Sequence, residues 1–323
     1  MKNWKRTSLL VAVLLLTLTL LVGCGGKKES QTGQEGKDTK ETAQLSGTVK
    51  IDGSSTVFPI SEAVGEEFQK LHPEVRVTVG VSGTGGGFKK FTAGETDISD
   101  ASRPIKDKEK AAAEAKGIGY IELPIAYDGL SVIVNKENNW VDKLTVEELN
   151  KIWEPGSKVN KWNQIRPEWP DKEIKLYGPG TDSGTFDYFT EAINGKEDAS
   201  RSDYNASEDD NVLVQGIEGD KYSLGYFGYA YYVGNKDQLK LVPVDGGNGA
   251  VEPTEKTIND GTYKPLSRPI FIYVNKASLN RPEVKEFVKY YLTEGPKLIP
   301  QVGYVPLPEA KYQEGLEKIN SAK

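Results

Sequence analysis

The 323-residue sequence has one cysteine, one histidine and one methionine. The methionine is Met1 and the cysteine is Cys24, so the body of the chain has no disulfide, no thiol nucleophile and no Cys/His metal site. The histidine, His72, stands in Lys70-Leu71-His72-Pro73-Glu74, at a helix end. There it complements the helix dipole and makes an unpromising base for a catalytic triad. Positive charge is not in excess either. The formal net charge is -6, which argues against a nucleic-acid surface, since that needs a basic stripe. Any anion site must therefore be locally positive against the field of the whole molecule.

Long apolar runs are missing except near the N-terminus, where Leu9 to Leu21 follows Lys2, Lys5 and Arg6. That run is too short for a comfortable membrane span and reads as an export signal over residues 1–23. Leu21-Val22-Gly23-Cys24 resembles a bacterial lipobox, so Cys24 is expected to carry the lipid. Residues 24–46 hold almost nothing that can enter a core and read as a flexible spacer. Lipid and spacer together hold a body against the extracytoplasmic face of the cell membrane.

What the body does have is glycine beside hydroxyl, three times over. The loops are Asp52-Gly53-Ser54-Ser55-Thr56-Val57-Phe58-Pro59, Ser82-Gly83-Thr84-Gly85-Gly86-Gly87-Phe88 and Gly180-Thr181-Asp182-Ser183-Gly184-Thr185-Phe186. Each precedes a stretch with helical spacing. A helix N-terminus offers unpaired N–H groups and the positive end of the dipole, and glycine lets backbone come close to a ligand. One such loop is a helix cap; three argue for convergence on one tetrahedral oxyanion. The second loop fits neither the phosphate-loop consensus, since Phe88 stands where its lysine-containing end should begin, nor a dinucleotide fingerprint. Arg103, beside Ser102 and held extended by Pro104, is a candidate bidentate anion ligand.

Around these loops the pattern is strand, loop, helix. Ile60, Val64, Phe68 and Leu71 form one helix face, and Val75, Val77, Val79 and Val81 alternate as a strand. Residues 118–134 read as two strands separated at Asp128-Gly129. Thr145-Val146-Glu147-Glu148 is a capping box. Residues 199–211 read as a loop, and 223–232 as a buried strand and interlobe crossing. Trp153, Trp162 and Trp169 read as packing for a proline-rich segment rather than a sugar-stacking surface. An α/β layer architecture with ligand loops at the carboxyl ends of strands follows.

Gly53-Ser54-Ser55-Thr56-Val57-Phe58-Pro59, Ser82-Gly83-Thr84-Gly85-Gly86, Ala101-Ser102-Arg103-Pro104 and Asp182-Ser183-Gly184-Thr185 stand in an order and spacing that resembles the phosphate-binding proteins of the bacterial high-affinity phosphate transporter. The resemblance extends through Tyr127-Asp128-Gly129-Leu130 and Gly225-Tyr226-Phe227-Gly228-Tyr229. It implies a type II periplasmic-binding-protein fold: lobe 1 from residues 47–135 and 232–323, lobe 2 from residues 136–231, and two crossings between them. It also implies that Ser55, Thr56 and Val57 bind the ion through hydroxyl and backbone N–H, that Thr84 adds a hydroxyl, and that Ser183, Gly184 and Thr185 form the second-lobe cradle. Enterobacterial members pair an Asp, which takes the phosphate proton, with an Arg. Those positions align here with Ser102 and Pro179, so Arg103 is expected to supply the charge, and Asp182, ahead of Asp100, the proton acceptor.

The implied role is a non-enzymatic lipoprotein without cofactor or metal. It would work as a monomer, bind inorganic phosphate, deliver it to the permease subunits of an ABC transporter, and sit on a surface of the Gram-positive kind. Two other classes compete: a secreted phosphatase or phosphotransferase with Ser55 or Ser183 as nucleophile, and a surface adhesin or signalling lipoprotein on the same fold. The absence of an obvious base or metal cluster weighs against the enzyme.

Overall fold

The alternation expected at the start of the body is present in the computed structural model, which describes residues 44–322. β1 (Gly47–Gly53), α1 (Phe58–Leu71), β2 (Val75–Val81), α2 (Gly83–Thr92), β3 (Ile98–Ala101) and α3 (Asp107–Ala115) follow one another. β4 (Tyr120–Asn135) leads into β5 (Leu144–Thr145), α4 (Val146–Trp153), β6 (Lys175–Pro179), α5 (Gly184–Asn194), β7 (Asn205–Ser207), α6 (Asp210–Glu218) and β8 (Ser223–Gly228). Next come α7 (Tyr229–Asn235), β9 (Leu239–Leu241), β10 (Val244–Asp245), β11 (Ala250–Val251) and α8 (Glu255–Asn259). The chain finishes with β12 (Ser267–Asn275), α9 (Pro282–Thr293), α10 (Gly295–Leu298), β13 (Val305–Pro306) and α11 (Glu309–Ser321). The export signal, Cys24 and nearly all of the spacer lie outside the described residues.

β1 pairs in parallel with β2 and β3, and β6 in parallel with β7 and β8. Antiparallel β12 and β4 join these two groups into one path, β2-β1-β3-β12-β4-β8-β6-β7. The three loops leave the carboxyl ends of β1, β2 and β6, where open α/β sheets place their ligand clefts.

β4 is the spine. Its first half pairs with β12, and its second half with β8 and β9. Two cores follow from this. One packs Val49, Ile60, Phe68, Leu123 and Phe287; the other packs Trp153, Trp162, Phe189, Tyr226, Val244 and Ile258. The tryptophans of the proline-rich segment are thus core.

The lobe boundaries differ from those expected. Leu130 and Leu266 both belong to the second core, so that lobe runs from about residue 130 to about 266. The crossings lie within β4 and at the start of β12, not at 135/136 and 231/232. The reason is long-range pairing: β9 adds to β4 and β10 pairs with β5, which holds residues 239–266 in the second lobe. Asp128-Gly129 likewise makes no turn. Asp128 faces Arg268 and Gly129 faces Ser267 in the ladder, whose one register shift lies farther along, between Ile270 and Phe271. A Cβ on Gly129 would lie 2.7 Å from the Ile258 side chain, so this glycine serves a close approach rather than a hairpin. Residues 199–211 contain β7 and the start of α6. Residues 223–232 divide into β8, inside the second lobe, and the first turn of α7.

Candidate functional site

The first loop is a tight turn between β1 and α1. Gly53 has φ +153°, and a Cβ there would fall 2.1 Å from the Asp100 carbonyl oxygen, so only glycine lets this backbone lie against β3. The Ser54 N–H donates to that carbonyl at 3.0 Å. Within the turn, Thr56 N–H donates to Ser54 Oγ (3.2 Å), and the N–H groups of Val57 and Phe58 donate to the Ser54 carbonyl (3.2 and 3.0 Å). Ser55 and Thr56 thereby stand at the N-terminus of α1, while the Val57 side chain enters the core.

The second loop is shorter than the sequence pattern suggests, because α2 begins at Gly83 and the glycines form its first turn. Gly83 and Gly85 have room around them, whereas Gly87 packs tightly. A Cβ on Gly87 would sit 2.6 Å from Gly53 Cα and 2.8 Å from the Asp52 carbonyl oxygen, so α2 rests directly on β1. Thr84 Oγ1 lies 3.0 Å from Ser102 Oγ and accepts from the Ser102 N–H at 3.1 Å.

The third loop caps α5, with Ser183 Oγ accepting from the Thr185 N–H at 3.2 Å. It meets the first loop across the lobes. A Cβ on Gly184 would lie 2.7 Å from both Thr56 Cα and Thr56 Oγ1. Ser55 Oγ donates to Asp187 Oδ2 at 3.2 Å.

Two cavities flank this contact. One, of about 460 Å³, takes in Ser54, Ser55, Thr56, Thr84, Ser102, Arg103, Asp187 and Arg268. The other, of about 500 Å³, takes in Ser55 again with Asp182, Ser183, Gly184, Thr185, Glu208 and Asp210. The structure thus joins Ser55 and Thr56 to Thr84, Ser102 and Arg103 on one side, and Ser55 to the second-lobe cradle on the other. Asp182 is exposed, and its N–H donates to Glu208 Oε1 at 3.3 Å, away from the arginines. Asp100 is fully buried behind the first loop and does not line either cavity. Burial pushes its carboxyl up to about 7.

Arg103 lines the first cavity, but its guanidinium is held by Glu109 through both oxygens, at 2.8 and 2.9 Å. Burial works to raise the Glu109 carboxyl; Arg103 and the Lys106 amide outweigh it and hold that carboxyl below the usual range.

Two residues that the sequence reading did not single out line the first cavity. Arg268 opens β12 beside Thr56, Asp128 and Tyr188. The signal was a repeated tripeptide, since Ser267-Arg268-Pro269 copies Ser102-Arg103-Pro104. Asp187 stands one helical turn after Ser183 and so on the same face of α5. Burial pushes its carboxyl up to about 6, against the pull of the Ser55 hydroxyl.

Residues 38–294 match the model of the PBP superfamily domain. The chain is 50% identical over 284 residues to Protein SphX of Synechocystis, covering 87% of this chain and 84% of that one. It is 43% identical over 323 residues to the phosphate-binding protein PstS of Staphylococcus saprophyticus, covering 99% and 95%. The chain belongs to the PstS/SphX family.

Among solved structures, a possible phosphate binding protein from Planctomyces limnophilus is similar at TM-score 0.82 and 53% identity, over 86% of this chain and 99% of that one. A putative phosphate ABC transporter substrate-binding protein with bound phosphate from Clostridium perfringens is similar at TM-score 0.56 and 28% identity, over 81% and 100%. A PstS/SphX chain is an extracytoplasmic, membrane-associated solute-binding protein rather than an enzyme, which sets aside the phosphatase reading. Its α/β binding-protein fold is the one the motifs implied.

Proposed function

We propose that this chain captures inorganic phosphate between its lobes and delivers it to the permease subunits of an ABC importer. The observation that carries the reading is the meeting of the first and third loops, Gly184 against Thr56 and Ser55 against Asp187, from opposite lobes. Each loop stands at the N-terminus of a helix longer than two turns. A third such N-terminus, that of α2, opens beside them. Their dipoles and amides favour an anion without any net positive charge on the protein.

In this reading Ser55, Thr56, Thr84 and Ser102 present hydroxyls from lobe 1, the first-loop turn up to Val57 sets two of them at the N-terminus of α1, and Ser183, Gly184 and Thr185 close from lobe 2. Closure replaces the water around the ion with fixed donors, each charge-assisted bond contributing about 1.5–3 kcal/mol. Asp187, rather than Asp182 or Asp100, faces the ion and takes its proton. Phosphate near neutral pH carries a proton to donate and sulfate carries none, so a carboxylate in the cleft favours the first and repels the second. Lipid on Cys24 would tether the monomer to the outer face of the membrane, at a surface of the Gram-positive kind.

The test is a thermal-shift panel of phosphate, arsenate, sulfate and molybdate on the full chain. Phosphate is expected to raise the melting temperature well above the rise given by sulfate. No shift with any oxyanion would return the adhesin or signalling reading.

A further inference from the structure

Three cations border the 460 Å³ cavity: Arg103, Lys106 and Arg268. They differ in what they still have to give. Arg103 has one face of its fork closed on Glu109, and Nη1 donates again to the Pro104 carbonyl at 3.1 Å. A bidentate carboxylate occupies the same donor pair that a phosphate or sulfate oxygen pair would use. Lys106 is exposed at the head of α3, where its backbone N–H is bonded to Glu109, and a lysine ammonium lacks the fork that pairs with two oxygens.

Arg268 is different on every count. Its side chain is 17% exposed, so its charge works in a poorly screened place. Its contacts are single and long: Nε to Asp128 Oδ2 at 3.4 Å, Nη2 to Thr56 Oγ1 at 3.2 Å, and Nη1 no nearer than 3.8 Å to Glu191. None is bidentate. Its guanidinium carbon lies 3.7 Å from the centre of the Tyr188 ring, a cation–π contact that needs none of its N–H donors.

The position in the fold adds a second argument. Arg268 and Asp128 are direct partners in the β12–β4 ladder, at the two points where the chain passes between lobes. The cation therefore sits on the hinge. Thr56, which it touches, belongs to the first loop; Tyr188, on which it stacks, belongs to the helix that the third loop opens. An arginine there keeps its place while the lobes move, and it contacts both of the elements that must meet.

We propose that Arg268 is the cation that binds the captured oxyanion, and that its stacking on Tyr188 registers the third-loop helix against the ion. This rests on the reading of the cleft as a phosphate site. Arg103 then has a supporting role, since with Glu109 it braces the strand end that carries Ser102 beside Thr84. Binding uses the Nη groups of Arg268 toward the ion while Asp128 keeps hold of Nε.

The experiment is calorimetric titration of inorganic phosphate into the full chain and into Arg268→Gln, Arg268→Lys and Arg103→Gln. Loss of a charge-assisted donor pair is expected to weaken Arg268→Gln on the order of 100-fold, with Arg103→Gln within about fivefold of the parent. Arg268→Lys keeps the charge but not the planar fork, and is expected to lose about tenfold. Parent binding with Arg268→Gln unchanged, or with Arg103→Gln the weaker variant, overturns the proposal and leaves the phosphate reading intact. A parent chain that gives no heat with phosphate removes that reading and the proposal with it. Should Arg268→Gln fail to fold, Arg268→Lys decides: unchanged affinity there overturns the role of the fork.

Discussion

Replacing Gly184 with alanine tests the interlobe contact with one methyl group. The new Cβ would lie 2.7 Å from Thr56 Cα and Oγ1 and 2.8 Å from Thr56 N. Carbon atoms in ordinary contact stay about 3.5–4.0 Å apart, so the shortfall is about 1 Å. The obstacle is mostly backbone of the other lobe, so rotating a side chain does not relieve it. The loops must part by about that distance, and donors on opposite lobes cannot then all keep an ion within about 3.2 Å. Losing one or two charge-assisted bonds costs about 3 kcal/mol, or on the order of 100-fold in affinity. The fold itself should not suffer. Gly184 has no left-handed φ, and it opens α5, where alanine favours helix by up to about 1 kcal/mol. Calorimetry should report the lost affinity, and a melting curve without ligand should report unchanged or higher stability. Affinity within about threefold of the parent would refute the claim that this contact closes the site.

Asp187→Asn should erode discrimination, with sulfate competing measurably against phosphate in the variant. In the parent the Asp187 carboxyl sits near 6, so it is ionised and repels a proton-free anion above that pH and relents below it. Competition titrations at pH 5 and pH 8 check both points; an unchanged phosphate-over-sulfate ratio in the variant would count against Asp187. Gly87→Ala should destabilise the fold by about 1–3 kcal/mol in urea unfolding, because α2 must lift off β1; an unchanged midpoint would refute that packing. Asp100 bears on stability against pH. Its folded value of about 7 lies above its unfolded value, so the folded chain holds the extra proton and stability falls as pH rises toward and through 7. Asp128, Asp187 and Asp210 are raised in the same direction. Asp100→Asn should therefore flatten, without abolishing, the fall in melting temperature between pH 6 and pH 8, and a slope equal to the parent's would clear Asp100.

The loops were legible because their chemistry is local. A glycine that admits backbone, a hydroxyl that caps and an apolar face three and four residues on are all written in consecutive residues. The hinge was not, because it depends on which distant strand pairs with which. Asp128-Gly129 has the letters of a turn and the environment of a strand, since Arg268 and Ser267 arrive opposite it from 140 and 138 residues later in the chain. The aromatic run at Gly225–Tyr232 has no periodicity that separates β8 from α7, and tertiary packing divides it. The assignment of residues 232–266 failed for the same reason, as β9 and β10 are short strands whose lobe is chosen by β4 and β5.

The charge of the site was the least legible part. In sequence Arg103 and Arg268 carry the same flanking residues, Ser before and Pro after, and nothing in those flanks distinguishes them. The difference is made by neighbours: Glu109, six residues on and within one helix of Arg103, closes its fork, whereas Arg268 meets only single contacts gathered from β4, the first loop and α5. In the proposed site a protein with a net charge of -6 would hold an anion because helix N-termini and one poorly screened guanidinium act at contact distance, while surface carboxylates separated from the ion by about a Debye length are damped by salt. The acids nearest the cleft, Asp187 above all, are not damped. On the proposed reading they set a condition on the ligand: the anion must bring a proton of its own.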